Sequence, residues 1–147
     1  MNKYWKKIAA ILILPMFLFG CSIAVDTEVA ELAVSEFQED YNKGSYDVIH
    51  ENAHPEFRNF ISQKKFNLLL KKLNSHMGKH MNSSLISWKA KTSIREGITI
   101  TLNYDAAYEN DDRARVTFIY KVNDGMARLY NFNVASEALN RSKDTDI

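Results

Sequence analysis

Apolar residues of the chain first fall at helical spacing after Asp26. Ala30, Val34, Phe37 and Tyr41 recur at i, i+4, i+7 and i+11, while Glu31, Glu39 and Asp40 lie off that stripe. The spacing predicts an amphipathic helix capped by Asp26 and closed by Lys43 and Gly44. A short second helix is expected from Ser45, with Tyr46, Ile49 and Ala53 on one side, ended where Pro55 follows His54. A turn carrying Phe57, Phe60 and Ile61 leads to Ser62, which is placed to cap a third helix. Its stripe is Phe66, Leu69, Leu70, Leu73 and Met77; Lys71, Lys72 and His76 suit its C-terminal half, and Gly78 suits a left-handed stop.

After "MNSS" the period changes to two. Even positions are apolar in four runs: Ile86, Trp88 and Ala90; Ile98 to Tyr108; Ala114 to Val122; and Tyr130, Phe132 and Val134. Such alternation predicts an antiparallel sheet with one buried face. The connections "REG", "ENDDR" and "NDG" suit a meander, the last being a tight-hairpin signal. Helices followed by strands define an α+β class, with N-terminal helices packed on one face of a curved four-stranded antiparallel sheet.

The first twenty residues break this pattern. Lys3, Lys6 and Lys7 precede the apolar run "IAAILILPMFLF", which ends at "LFGC" with the only cysteine of the 147-residue chain. A positive start, an apolar stretch and a small residue have the layout of a secretory signal. Leu18, Gly20 and Cys21 further resemble the lipobox of a bacterial lipoprotein. That resemblance implies cleavage between Gly20 and Cys21, diacylation of the Cys21 sulfur, and in most cases acylation of the new amino terminus. Two or more chains make a durable anchor. The odd thiol, otherwise reactive outside the cytosol, is thereby consumed. An uncleaved membrane helix from Ile8 to Val25 is the other reading, weakened by Pro15 and borderline against the ~20 residues needed to span. Both readings put the domain outside the cytosol, in the cell envelope. Ser22 after the acylated position suggests the outer membrane if the cell has two. The layout is then 1–20 signal peptide, 21–25 tether, 26–139 domain and 140–147 flexible tail.

Charge narrows the partners. The formal net charge is +1, from 19 basic and 18 acidic residues; three of the basic ones leave with the first seven residues, so the rest carries −2. A near-neutral domain has no footprint for nucleic acid.

Within the domain, "YNKGSYDVIHENAHPEFRNFIS", the Gly78-Lys79 pair and "DGMARLYNFNVASEAL" resemble the cystatin-like or nuclear transport factor 2-like domains of bacterial lipoproteins of unknown function. The resemblance covers most of 26–139. It implies a cone of sheet wrapped on a helix, in some relatives with a pocket at its open end, and it carries almost no activity.

Candidate chemistry is sparse. "HMGKHM" holds His76, Met77, His80 and Met81, ligand types that suit copper, but Gly78 divides the histidines and Met77 belongs to the core stripe, so no metal is assigned. His50 and His54 stand four apart beside Pro55. Glu109, Asp111 and Asp112 form an acidic hairpin better read as a solvated turn than as a calcium loop. Trp88, Tyr104, Tyr108, Phe118, Tyr120 and Tyr130, together with Phe132, all fall on the predicted inner face; they are core if the helices fill the cone and a ligand pocket if they do not. No paired carboxylate or Ser/His/Asp spacing demands chemistry. The expectation is therefore a non-enzymatic, membrane-anchored module, without cofactor, that meets an envelope protein or, alternatively, a small apolar or amphipathic ligand.

Overall fold

The structure is a computed structural model that describes residues 27–137 and Leu139. The signal-like segment, the tether, Asp26 and the tail lie outside the described residues. Four helices come first: α1 (Glu28–Lys43), α2 (Tyr46–Asn52), α3 (Pro55–Phe60) and α4 (Gln63–Met77). Four strands follow: β1 (His80–Ser93), β2 (Gly97–Tyr108), β3 (Asp111–Asn123) and β4 (Met126–Ala135). They pair antiparallel in the order β1-β2-β3-β4. The α+β architecture with helices on the sheet is the expected one.

Local chemistry explains the helix ends. Gly44 adopts φ 75°, and the Gly44 and Ser45 amides donate to the carbonyls of Tyr41 (3.1 Å) and Asp40 (2.8 Å), which closes α1 in a Schellman arrangement. The Ser62 hydroxyl accepts from the Lys65 amide and opens α4. At the start of α1 the cap residue is Thr27, whose hydroxyl donates to Glu31 Oε1 (2.9 Å) rather than accepting from a backbone amide. One expectation is corrected: Phe57 and Phe60 lie in a helix, not a turn. Pro55 opens α3 because its fixed φ suits the first helical position and its missing N–H costs nothing there.

The core lies between α1, α4 and the inner face of the sheet. Val34, Phe66, Leu70, Met77, Ile100, Leu102, Val116 and Phe118 are fully buried. Phe37 meets Phe118 edge-on with centroids 5.1 Å apart, Phe66 meets Phe132 at 6.0 Å, and Tyr41 meets Tyr108 at 6.0 Å. Edge-to-face geometry aligns the positive ring edge with the negative face of the neighbour. Leu69, placed on the stripe by its spacing, is half exposed, as is Leu68 beside it. The buried stripe is the narrower set Phe66, Leu70, Leu73 and Met77.

Register shifts, two of them at Ile86 and Tyr130, decide which strand residues face the core. The register skips Ile86, since Leu85 pairs with Tyr104 and Ser87 with Asn103, and it skips Tyr130, since Tyr120 pairs with Leu129 and Ile119 with Asn131. An extra residue in one strand shifts the alternation beyond it. Leu129 is consequently buried opposite Tyr120, and Tyr130 is corrected to the other side of the sheet, with its ring 4.3 Å from the Lys121 ammonium. The β3–β4 hairpin turns at Asp124 (φ 51°) and Gly125 (φ 73°), the double positive φ that suits a two-residue turn between twisted strands.

Candidate functional site

The six aromatic residues read as core or, alternatively, as a pocket lining do not meet around one opening. Tyr104, Tyr108, Phe118 and Tyr120 are buried beneath α1. The Tyr120 hydroxyl donates to the Ala33 carbonyl at 3.1 Å. Burial pushes the phenols of Tyr104 and Tyr108 up to about 12, with the Glu31 carboxylate adding to the effect at Tyr104. Tyr130 is on the opposite face, and Trp88 lies apart from the four. By register Trp88 shares the inner face with its partner Leu102, but it is 51% exposed because α1 meets β1 only near His80 and Ser83 and does not extend over Trp88.

The histidines are engaged singly. His50 Nε2 lies 2.8 Å from the Ile61 carbonyl, and His54 Nδ1 accepts from the Glu56 amide as the cap of α3. Burial, followed by the charge of Lys121, holds the His54 imidazole below its ordinary value. His80 packs edge-on against Tyr108 and is clamped through its backbone by Asn42, whose amide donates to the His80 carbonyl (2.9 Å) and whose carbonyl accepts the His80 amide (2.8 Å). Its imidazole is likewise lowered by burial. His76 offers its backbone carbonyl to the Asn110 side chain. Among the described residues no three His, Cys, Asp or Glu side chains gather as a metal site.

Glu109 and Asp112 of the acidic hairpin are exposed, as expected of a solvated turn, while Asp111 departs from it. Glu109 accepts the Lys79 amide at 2.8 Å and so ties the β2–β3 turn to the end of α4. Asp111 is buried, accepting the Arg113 amide (3.0 Å) and bonding the Ser136 hydroxyl. These carboxylates clasp backbone.

Two surface features remain. A groove of about 480 Å³ opens between α1, the α2–α3 corner and the β3–β4 hairpin, lined by Leu32, Ala33, Glu36, Arg58, Met126 and Arg128 among others. Its apolar members come from segments far apart in the chain, so no local spacing marks it. The second feature is β1, an edge strand of 14 residues. Met81, Ile86 and Trp88 are exposed along it and Ile94 just beyond it. The alternation that predicted a buried Trp88 identified its face correctly, but it could not show that no helix covers that part of the face.

No family model and no curated protein matches the chain. Among the described residues no helix is long and apolar enough to cross a membrane.

Proposed function

We propose that the protein is a lipoprotein of the bacterial cell envelope, anchored through acylated Cys21, whose cystatin-like or nuclear transport factor 2-like domain is a non-enzymatic module for binding another envelope protein. Leu18, Gly20 and Cys21 support the anchor, and Ser22 supports delivery to the outer membrane in a cell that has two. A tether confines the domain to a surface and raises its effective concentration toward anything else held there. The observation that carries the interaction reading is the open second half of edge strand β1, Ser87–Ser93, with half-exposed Trp88. The free N–H and C=O groups of such an edge template pairing with another strand.

The test has two arms. The native protein should incorporate labelled palmitate and sediment with membranes, and Cys21→Ser should abolish both. Crosslinking in intact cells followed by purification in mild detergent should return a reproducible partner. Unmodified Cys21 defeats the anchor, and repeated recovery of the protein alone defeats the module. A second reading, a small amphipathic ligand, is favoured by the groove beneath Leu32 and Met126, whose rim carries Glu36, Arg58 and Arg128. Native mass spectrometry of gently extracted protein tests it, and a bare mass removes it.

A further inference from the structure

The two edges of the sheet are finished differently. Along β4, the His54 amide donates to the Leu129 carbonyl at 2.9 Å and the His54 ring packs edge-on against Tyr130. Beside them Glu56 reaches Lys121 at 2.8 Å. Helix α3 therefore covers that edge. β1 is held by a helix only at its start, where Asn42 of α1 bonds the His80 backbone and Gln38 reaches the Ser83 hydroxyl. Its first half is broken by register shifts at Met81 and Ile86, but Ser87–Ser93 runs without interruption against Asn103–Gly97. Every second residue of that stretch turns its backbone N–H and C=O away from β2, toward solvent.

The two faces of the stretch differ in chemistry. Trp88 and Ala90 share the inner face with Leu102 and Ile100, and Trp88 is half exposed. Lys89 and Lys91 share the other face with Thr101 and Thr99. Both lysines are exposed, and neither makes an ion pair among the described residues. From His80 to Arg95 the chain contains no acidic residue.

We propose that this edge receives, as a fifth strand, an extended segment of a partner protein in which apolar and acidic side chains alternate. The apolar residues would cover Trp88 and Ala90 and continue the core beyond the helices; the acidic residues would stand beside Lys89 and Lys91 on the other face. Main-chain bonds supply the attachment, and alternate side chains supply the choice. A second copy of this chain fits poorly. Antiparallel self-pairing over the same stretch sets Lys89 of one copy opposite Lys91 of the other, and like charges across a ladder destabilise it. The same two lysines thus reject copies of the chain and admit acidic strands. This inference rests on the interaction reading above and names its partner's chemistry, but it is independent of the anchor.

The test uses the full-length Trp5→Phe protein in nonionic detergent, in which Trp88 is the remaining tryptophan of the two. It is titrated with a synthetic peptide of about ten residues alternating valine with glutamate, and with its valine–lysine counterpart; that length matches a long strand. The glutamate peptide should shift Trp88 emission to the blue and bind at least about tenfold more tightly than the lysine peptide, as expected for two exposed ion pairs exchanged for repulsions. The double variant Lys89→Glu, Lys91→Glu should reverse the preference while its far-ultraviolet circular dichroism stays unchanged. Equal affinities, a preference that survives reversal, or absence of binding by both peptides would overturn the proposal. So would sedimentation showing a dimer that the glutamate peptide does not dissociate. Failure here with a crosslinked partner still recovered removes the strand-addition mode alone, whereas an unmodified Cys21 leaves the titration untouched.

Discussion

The Lys121 ammonium sits 2.8 Å from Glu56 Oε1 and 4.3 Å from the centre of the Tyr130 ring, 6% exposed, on the face of the sheet opposite the helices. One ion pair thereby fastens α3 to β3 across the edge formed by β4. The hydrogen bond from Lys121 holds the Glu56 carboxyl below its ordinary value, and the same bond raises Lys121.

A carboxylate whose folded value is depressed contributes stability that is present above its unfolded value and lost as pH falls through the folded one. Glu56→Gln should therefore be less stable than wild type near neutrality, with the difference closing on acidification below the usual carboxylate range. Urea unfolding midpoints for both proteins between about pH 3 and pH 7 measure this. A constant difference across that range would assign the loss to packing.

The buried phenols act at the opposite end of the scale. With Tyr104 and Tyr108 raised to about 12, their contribution is complete below the ordinary tyrosine value of 10.0 and is lost as pH rises toward 12. Ultraviolet titration should show these two ionising at higher pH in the folded protein than in the urea-unfolded chain. Stability should decline through the same window, because the unfolded chain gives up those protons first. A phenol titration identical in the folded and unfolded protein would contradict the packed inner face.

Two glycines separate conformational strain from steric conflict. Gly44 has φ +75° with nothing within 4 Å of a would-be Cβ, so Gly44→Ala should cost about 1 kcal/mol, the left-handed penalty alone. Gly78 has φ 76° and ψ −160°, and a Cβ there would lie 2.6 Å from Glu109 Oε2 and 2.7 Å from Glu109 Cβ. Gly78→Ala should cost about 3 kcal/mol, from a nearly glycine-only conformation plus displacement of the Glu109 clasp. Chemical denaturation of both variants decides, and equal losses would refute the distinction.

On α4 the consecutive leucines differ in the same manner. Leu70 is fully buried and Leu69 is 47% exposed. Leu70→Ala should cost roughly 3 kcal/mol through lost burial and a residual cavity, and Leu69→Ala less than about 1 kcal/mol. Comparable losses would place Leu69 in the core stripe after all.

Much of the framework was legible in the residue pattern. Helices α1, α2 and α4 follow from three stripes and their stop signals at Gly44, Pro55 and Gly78, and the four strands from alternation between turn residues. Helix α3 was missed because "PEFRNF" is too short to show a period, and Tyr130 because a bulge leaves no mark on composition. Lys121 alternates with the apolar set, and its partner Glu56 lies 65 residues earlier, beyond the reach of any local pattern.

The order of hydrophobic and polar positions was enough, by itself, to determine the class of architecture, the inner-face set from Ile100 to Phe118, and the odd cysteine behind an apolar leader. Those features depend on neighbours within a few residues, where side-chain period and charge act directly. Which parts of the inner face are covered was decided only in three dimensions. The helices fill the space over β2, β3 and β4 and stop short of Trp88; α3 covers one edge of the sheet, while the second half of β1 stays bare. Coverage is set by the length and packing angle of distant elements, quantities that no local spacing encodes.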